Sequence, residues 1–354
     1  MKDRSSLSIA GAFVAFLVGS GFATGQEVLQ FFVVYGVDGI AGAVLCFALL
    51  AYLSVVLLDL GRRYSFSNSR QVFEYLAGNK LGRILDMYSV AAIFCVYTTM
   101  IAGGSSVLQE HYGFSQTLGS LLFAAAVLGV VLLGLKNLVN GLGSVGPVLV
   151  VLLITIALMS LASSDSDLAT GFAVFDGSEM LKASSHWLSS SVLYTSLQVI
   201  GLCGFLPPLG RTIKSQSVLI TGGLLGPFLY FGALLLLILA LFGRAPELTG
   251  SMIPVLVLSE ASYAWIDSIF GLVILVGIFS TAAPLLWILL ARFSQSDDHR
   301  YSVVAVGVSG VAYLGGLMLP FDRILNLLYP TLSYVGVLIV ILIFIKQWRE
   351  GRII

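Results

Sequence analysis

The chain has 354 residues, 58% of them hydrophobic and 10% charged, with 18 Lys and Arg balanced by 18 Asp and Glu and a mean hydropathy of +1.00. A soluble domain carries about 25% charged residues, so this composition excludes a soluble enzyme or binding module of any size and points to a chain folded in a lipid bilayer. The zero net charge gives no sign of a nucleic-acid partner, and none is expected.

A hydrocarbon core about 30 Å thick takes about 20 apolar residues per helix. Ten such segments are predicted, over 6–34, 37–61, 84–108, 115–135, 142–163, 187–209, 215–242, 263–291, 301–319 and 323–345. They form one all-α integral membrane domain over 1–354, with almost nothing left for a soluble part. The start, MKDRSSLSIAGAFVAFLVGS, has the basic head and apolar run of a signal peptide. The apolar stretch resumes after Glu27 and nine spans follow, so it is read as the first span. With the N-terminus in the cytoplasm, every Lys and Arg falls on the cytoplasmic side except Lys182, Arg244 and Arg323, and both termini lie inside. Moving the span count by one spoils that asymmetry. A bacterial inner membrane fits the short termini and lean loops.

Cys46, Cys95 and Cys203 fall within spans without metal-ligand spacing. GLGSVG, Gly141 to Gly146, matches a dinucleotide fingerprint by letter, but it opens a membrane span and follows no strand, so it reads as packing glycines. There is no HExxH, GxSxG or P-loop. No enzyme and no cofactor are expected.

Span one carries VGSGFATGQEVLQFF, Val18 to Phe32. A continuous helix over 6–34 would be about 43 Å long, enough to hold a break and still cross. Gly19, Ser20, Gly21, Thr24 and Gly25 cluster at its middle, and each interior glycine costs a helix about 1 kcal/mol, so the break is predicted there. Irregular backbone at membrane depth is tolerated only inside protein or beside a watery cavity. Thr24 to Glu27 has the T-x-x-E form of a capping box, which predicts Thr24 as the N-cap of a second half-helix. Glu27 has two readings, as that cap or as a proton-binding or substrate-facing carboxylate, since ionisable groups inside spans often mark a transport path.

Span six has Tyr194, Thr195, Ser196 and Gln198 followed by Gly201 and Gly204, which predicts a second break about half a chain length after the first. Two interrupted helices at matching places in inverted halves, here about 6–163 and 187–345, point to the midplane site of a secondary transporter.

With these features the chain resembles the LeuT fold of the amino acid-polyamine-organocation superfamily, ten helices in a 5+5 inverted repeat with spans one and six discontinuous. GSGFATGQE, Gly19 to Glu27, resembles more specifically the YkvI-type bacterial membrane proteins of that superfamily. The likeness covers essentially the whole chain and is strongest in span one. It implies a transporter working by alternating access, with an amino acid or similar small zwitterionic or anionic solute as substrate.

Span eight places Ser280 and Thr281 in an apolar run, with Pro284 four residues after Ser280. Proline cannot donate to the Ser280 carbonyl, so a free carbonyl sits beside two hydroxyls, hard oxygen ligands of the kind a small cation needs. The resemblance implies a sodium site here, with Ser280 and Thr281 as side-chain ligands and Gly277, Ala15 and Val18 as carbonyl ligands. It implies a substrate site between spans one and six, with the backbone around Gly19, Ser20 and Gly21, with Thr24 and Glu27, and with Tyr194, Thr195, Ser196 and Gln198. Tyr97 and Gly103 of span three form a wall. Two rival readings are a proton-coupled transporter using Glu27, and a receptor of the same fold, like the germinant-sensing membrane subunits, that binds without transport. The partners expected are a small-molecule substrate and the lipid bilayer; the sequence leaves oligomeric state open.

Overall fold

The computed structural model describes residues 5–66, 68–133, 145–163, 168–175, 180–260, 264–290, 292 and 299–351, without the side chains of 20, 145–149, 169, 170, 172, 173, 260, 264–269 and 299. Of GLGSVG only the last two residues fall within this range. All regular structure among the described residues is helical. In chain order come α1 (Ser6–Leu17), α2 (Ser20–Thr24), α3 (Gln26–Phe31), α4 (Val37–Tyr64), α5 (Ser69–Tyr112), α6 (Gln116–Leu132) and α7 (Val145–Ala162). Then follow α8 (Leu168–Phe175), α9 (Trp187–Gly210), α10 (Gln216–Gly243), α11 (Pro254–Glu260), α12 (Ala264–Leu290), α13 (His299–Leu317) and α14 (Phe321–Arg349).

Polar residues start these helices where the apolar runs begin. Ser5, Asn68, Ser115 and Ser215 each accept a hydrogen bond from the backbone N–H three residues on, which satisfies a donor that the helix start leaves orphaned. Among the described residues seven helices contain a stretch long and apolar enough to cross a membrane: α4, α5, α9, α10, α12, α13 and α14. Three shorter apolar stretches among these residues, α1, α6 and Val150–Ala162, fall within the predicted spans 6–34, 115–135 and 142–163.

Two elements differ from expectation. The third span begins earlier than residue 84, because the helix starts at Ser69 and turns at Gly78, whose φ of 76° only glycine adopts at little cost. Span six is not broken; α9 is one helix from Trp187 to Gly210. Two of its hydroxyls bond within the helix, Ser191 Oγ donating to Trp187 O and Thr195 Oγ1 to Ser191 O, both at 2.9 Å, while Ser190 Oγ donates to Phe31 O and Ser196 Oγ finds no partner among the described residues. Its glycines serve contact: a Cβ on Gly201 would meet the Phe16 ring at 2.9 Å.

The helices pack as two groups. In one, α1 lies along α10, α4 along α9, and α4 on α10; in the other, α5 lies on α12, with α6 and α13 against both. α14 joins them by packing on α9 and α5, and α7 by packing on α1, α10 and α12. Lipid tails are as apolar as these side chains, so close approach holds such helices together more than exclusion from lipid does. At Gly61 and Gly210 a Cβ would land on the backbone of Pro207 and of Leu58, so α4 and α9 touch backbone to backbone. One end of the bundle, called here the basic end, carries Arg62, Arg63, Arg70 and Arg83 paired with Asp59 and Glu74.

Candidate functional site

The interruption in span one lies where the glycines predict it. Val18 N–H still reaches Val14 O at 3.0 Å, but Gly19 N–H turns to Leu17 O at 2.9 Å, which denies Ala15 O the partner that a continued helix would give it. The chain re-enters helix for five residues and is interrupted again at Gly25, with φ 80° and ψ −7°. A Cβ on Gly25 would stand 2.7 Å from Val255 Cγ2 of α11. Glycine is required there twice over, by backbone conformation and by space.

Gly25 also overturns the predicted capping box. It is itself the N-cap of α3. Thr24 Oγ1 donates to Gly21 O at 3.2 Å and accepts a long 3.4 Å contact from Gln26 N. The left-handed turn moves the cap one residue along, and Glu27 is freed for another use. Its side chain lies over Gly21, where any Cβ would collide with its Cγ, Cδ and Oε1. Its Oε2 accepts from Tyr194 Oη at 3.2 Å, the Tyr194 and Tyr230 hydroxyls bond to each other, and the Tyr329 hydroxyl is a further partner. Phe31 and Phe32 face the Tyr194 ring with centroids 5.2 and 5.0 Å away. Glu27 is 4% exposed, and no Lys, Arg or His forms an ion pair with it among the described residues.

Glu27 stands at one end of a cavity of about 380 Å³, within the range of small-molecule sites. Ala15 and Gly19 of the interrupted span, Gln198 of α9, and Ser280, Thr281 and Pro284 of α12 line it. Phe16 and Phe205 line it as well, stacked with centroids 4.5 Å apart. Gly19 lacks the side chain that would approach Met100 Cε and Thr281 Cγ2, each just under 4 Å from a built Cβ. Ser280 Oγ donates to Gly277 O at 2.7 Å, and Thr281 Oγ1 makes a long 3.5 Å contact with the same oxygen.

Of the predicted site residues, Ala15, Gly19, Glu27, Gln198, Ser280 and Thr281 thus meet at one cavity. Gly21 lies under Glu27, Tyr194 holds Glu27 from behind, and Gly277 carries the carbonyl that the two hydroxyls share. Val18 is buried and off the lining. Four others are also directed elsewhere. Tyr97 Oη bonds Ser309 Oγ at 3.1 Å, a Cβ on Gly103 would meet the Phe321 ring, Thr195 bonds its own helix, and Ser196 is buried beneath Gly336. The Ser20 side chain lies outside the described ones.

The cavity extends from the break toward the basic end, where Ala92, Phe205 and Ile288 line it. Just beyond, Arg292 bonds both oxygens of Asp86, at 3.1 and 3.0 Å, and Ser69 Oγ reaches the same carboxylate at 3.0 Å. The other end is closed. Gln30 Nε2 donates to Asp322 O at 2.9 Å, and Asn326 Nδ2 reaches both Gln30 Oε1 at 3.1 Å and Lys182 O at 2.9 Å. Sequence reasoning missed Tyr230, Tyr329, the Gln30 contacts and the Asp86–Arg292 pair. A polar group inside an apolar run was the one available signal, and it marks Tyr230 and Gln30 without saying what they touch.

No family model matches the chain. It is similar to the uncharacterized membrane protein YkvI of Bacillus subtilis strain 168, at 24% identity over 98% of each chain. It is also similar to the uncharacterized protein YyaD of the same organism, at 26% identity over 56% of this chain and 54% of that one. Among solved structures it is similar to MhsT in complex with L-phenylalanine, with a TM-score of 0.66 at 19% identity, covering 96% of this chain and 88% of that one. Inward-facing Mhp1 follows, with a TM-score of 0.56 at 15% identity over 94% and 74% of the two chains. A substrate-bound, outward-open Na+-coupled sialic acid symporter gives 0.53 at 12% identity over 97% and 75%. All three are LeuT-fold transporters, and the chain has that fold. With seven long apolar helices among the described residues and a full-length likeness to a membrane protein, it is an integral membrane protein.

Proposed function

We propose that the protein is a secondary active transporter that moves a small solute by alternating access, coupled to sodium. The observation that carries this reading is the meeting, at one cavity, of an interrupted helix and the Ser280–Thr281 pair. The helix pairing supports a ten-span inverted repeat. Numbering the predicted spans one to ten and exchanging each with the one five later maps the one–seven contact onto six–two, three–four onto eight–nine, and one–five onto six–ten; all of these are present. The excess of Lys and Arg at the basic end supports cytoplasmic termini, so the cavity opens inward.

The residues fit a sodium ion by their chemistry. Ala15 O lacks a helical partner, and Ser280 and Thr281 are oxygen donors on the same cavity wall. These groups, with Gly277 O, would hold the ion; Val18 is the weaker member of the set. An amino acid or similar small zwitterionic or anionic solute is the substrate class that the fold resemblance implies. A proton-coupled mechanism is a second reading, favoured by the burial of Glu27 without a cationic side chain beside it: such a carboxylate takes up a proton or pairs with a cation.

The test is thermal unfolding of the purified protein in sodium, lithium and potassium, followed by uptake into liposomes under a sodium or a proton gradient. Sodium is expected to raise the unfolding temperature and drive uptake, and the Ser280→Ala, Thr281→Ala double variant to lose both. Uptake that follows the pH gradient and ignores sodium would move the coupling to Glu27. Ligand binding without accumulation under either gradient would make the protein a receptor.

A further inference from the structure

The charged and polar groups around the cavity are strongly one-sided. Glu27 brings a carboxylate to its closed end, and Ala15, Ser280 and Thr281 bring oxygen atoms to its side. Among the described residues no Lys, Arg or His lines it, and the Gln198 amide is its one nitrogen-bearing side chain. The remaining wall is apolar, with the stacked Phe16 and Phe205 on one side and Leu197, Ile200 and Met100 on others. A carboxylate buried this deeply is stable as an ion only when something positive meets it. Around it stand Tyr194 from α9, Tyr230 from α10 and Tyr329 from α14, which supply hydroxyls, and the Cys46 thiol of α4 lies beyond. None of these supplies a positive charge, so a Glu27 that stays ionised needs a counter-charge entering through the cavity.

We infer that the cavity takes an organic ammonium ion with an apolar body, its charged nitrogen paired with Glu27 and its body laid along the Phe16–Phe205 stack. This rests on the transport reading above and replaces the zwitterionic or anionic substrate class named there with a cationic one. An anionic solute would bring a second negative charge to Glu27 and would find no cation on the wall. A zwitterion could satisfy its amino end at Glu27 but not its carboxylate by any charged side chain there. Gly21, with no side chain, gives the carboxylate its resting place, and Gly19 lines the same cavity without one. Charged recognition at one end and aromatic contact along the body are the two interactions that such a molecule requires.

The experiment uses the purified full chain in saturating sodium and follows its unfolding temperature with phenethylamine, phenylacetate, 2-phenylethanol and phenylalanine as probes. A ligand that binds the folded protein raises that temperature with its concentration. Phenethylamine is expected to bind at least tenfold more tightly than any of the other three. Glu27→Gln is expected to weaken phenethylamine at least tenfold while keeping the stabilisation by sodium alone, which also certifies that the variant is folded. Phenylacetate or 2-phenylethanol binding as tightly as the amine would overturn the inference, as would unchanged amine affinity in Glu27→Gln. Phenylalanine binding where phenethylamine does not would overturn it too, and would leave the transport and sodium readings intact. Should Glu27→Gln not fold, the four probes on the unaltered protein decide the matter alone.

Discussion

Gly21→Ala is the sharpest probe of how span one is held. The added methyl falls on Cγ, Cδ and Oε1 of Glu27 at once, so rotation about the last side-chain bond does not relieve it and the whole side chain has to leave. Leaving breaks the contacts with Tyr194 and Tyr329, and hydrogen bonds to a charged group are worth about 1.5–3 kcal/mol each. Alanine returns about 1 kcal/mol of helix propensity over glycine, so a net loss of about 2–5 kcal/mol is expected. In a Glu27→Ala background the obstacle is gone, and the same Gly21→Ala change should be neutral or stabilising by about 1 kcal/mol. The two substitutions therefore form a double-mutant cycle with a coupling of about 2–6 kcal/mol, measurable by equilibrium unfolding in mixed micelles. Additivity within about 0.5 kcal/mol, the behaviour of independent sites, would refute the placement of Glu27 over Gly21.

The other glycines of the segment separate by the same logic. Gly25→Ala meets a left-handed backbone, about 1–2 kcal/mol, and Val255 at 2.7 Å, about 1–3 kcal/mol of overpacking. A loss of about 2–5 kcal/mol is expected in the same unfolding assay, whereas Gly19→Ala, whose Cβ makes ordinary contacts at 3.8 and 3.9 Å, should cost under about 1 kcal/mol; equal losses would contradict the geometry. For the direction of the cavity, Gln198→Cys in a Cys95→Ala background should react with an impermeant thiol reagent added at the basic end of reconstituted protein and not at the other. Adding Asn326→Ala, which removes the contacts to Gln30 and Lys182, should raise labelling from the closed end; equal labelling from both sides before that change would sink the closed-end assignment.

What the sequence reveals is the property of the backbone alone. Three glycines within seven residues weaken a helix whatever surrounds them, so the break in span one was legible. Span six carries letters of the same kind, yet Ser191 and Thr195 bond back to their own helix and Gly201 makes room for Phe16. Hydroxyls and glycines serve a break or a contact equally well, and only the neighbouring helix decides between them. The capping box failed for a more local reason, the left-handed φ of Gly25, which the T-x-x-E spacing does not register. Ser280 and Thr281 stand out in the sequence as hydroxyls in an apolar run ahead of Pro284, and both line the cavity. Tyr230 and Tyr329 do not, since Tyr230 stands among other aromatics, Phe228 and Phe231, Tyr329 has nothing to set it apart from Tyr334, and each comes to Glu27 only through the packing of α10 and α14.

A helix as short as α2 has little stability of its own, because nucleation outweighs the bonds that one turn can form. Its position is set by what touches it, and each contact comes from a different element: Met100 of α5 and Thr281 of α12 beside Gly19, Glu27 of α3 over Gly21, and Val255 of α11 against Gly25. Two of these neighbours, Thr281 and Glu27, are also the groups through which the proposed ion and ammonium ligand would enter. A ligand shifts a conformational equilibrium only by its differential affinity for the two states, and here both ligands would express that difference through the same five residues. Coupling between ion and solute then requires no long pathway across the protein. It requires that α2 have two positions and that each ligand favour the same one, and a continuous helix through Val18 and Gly25 would have no such freedom.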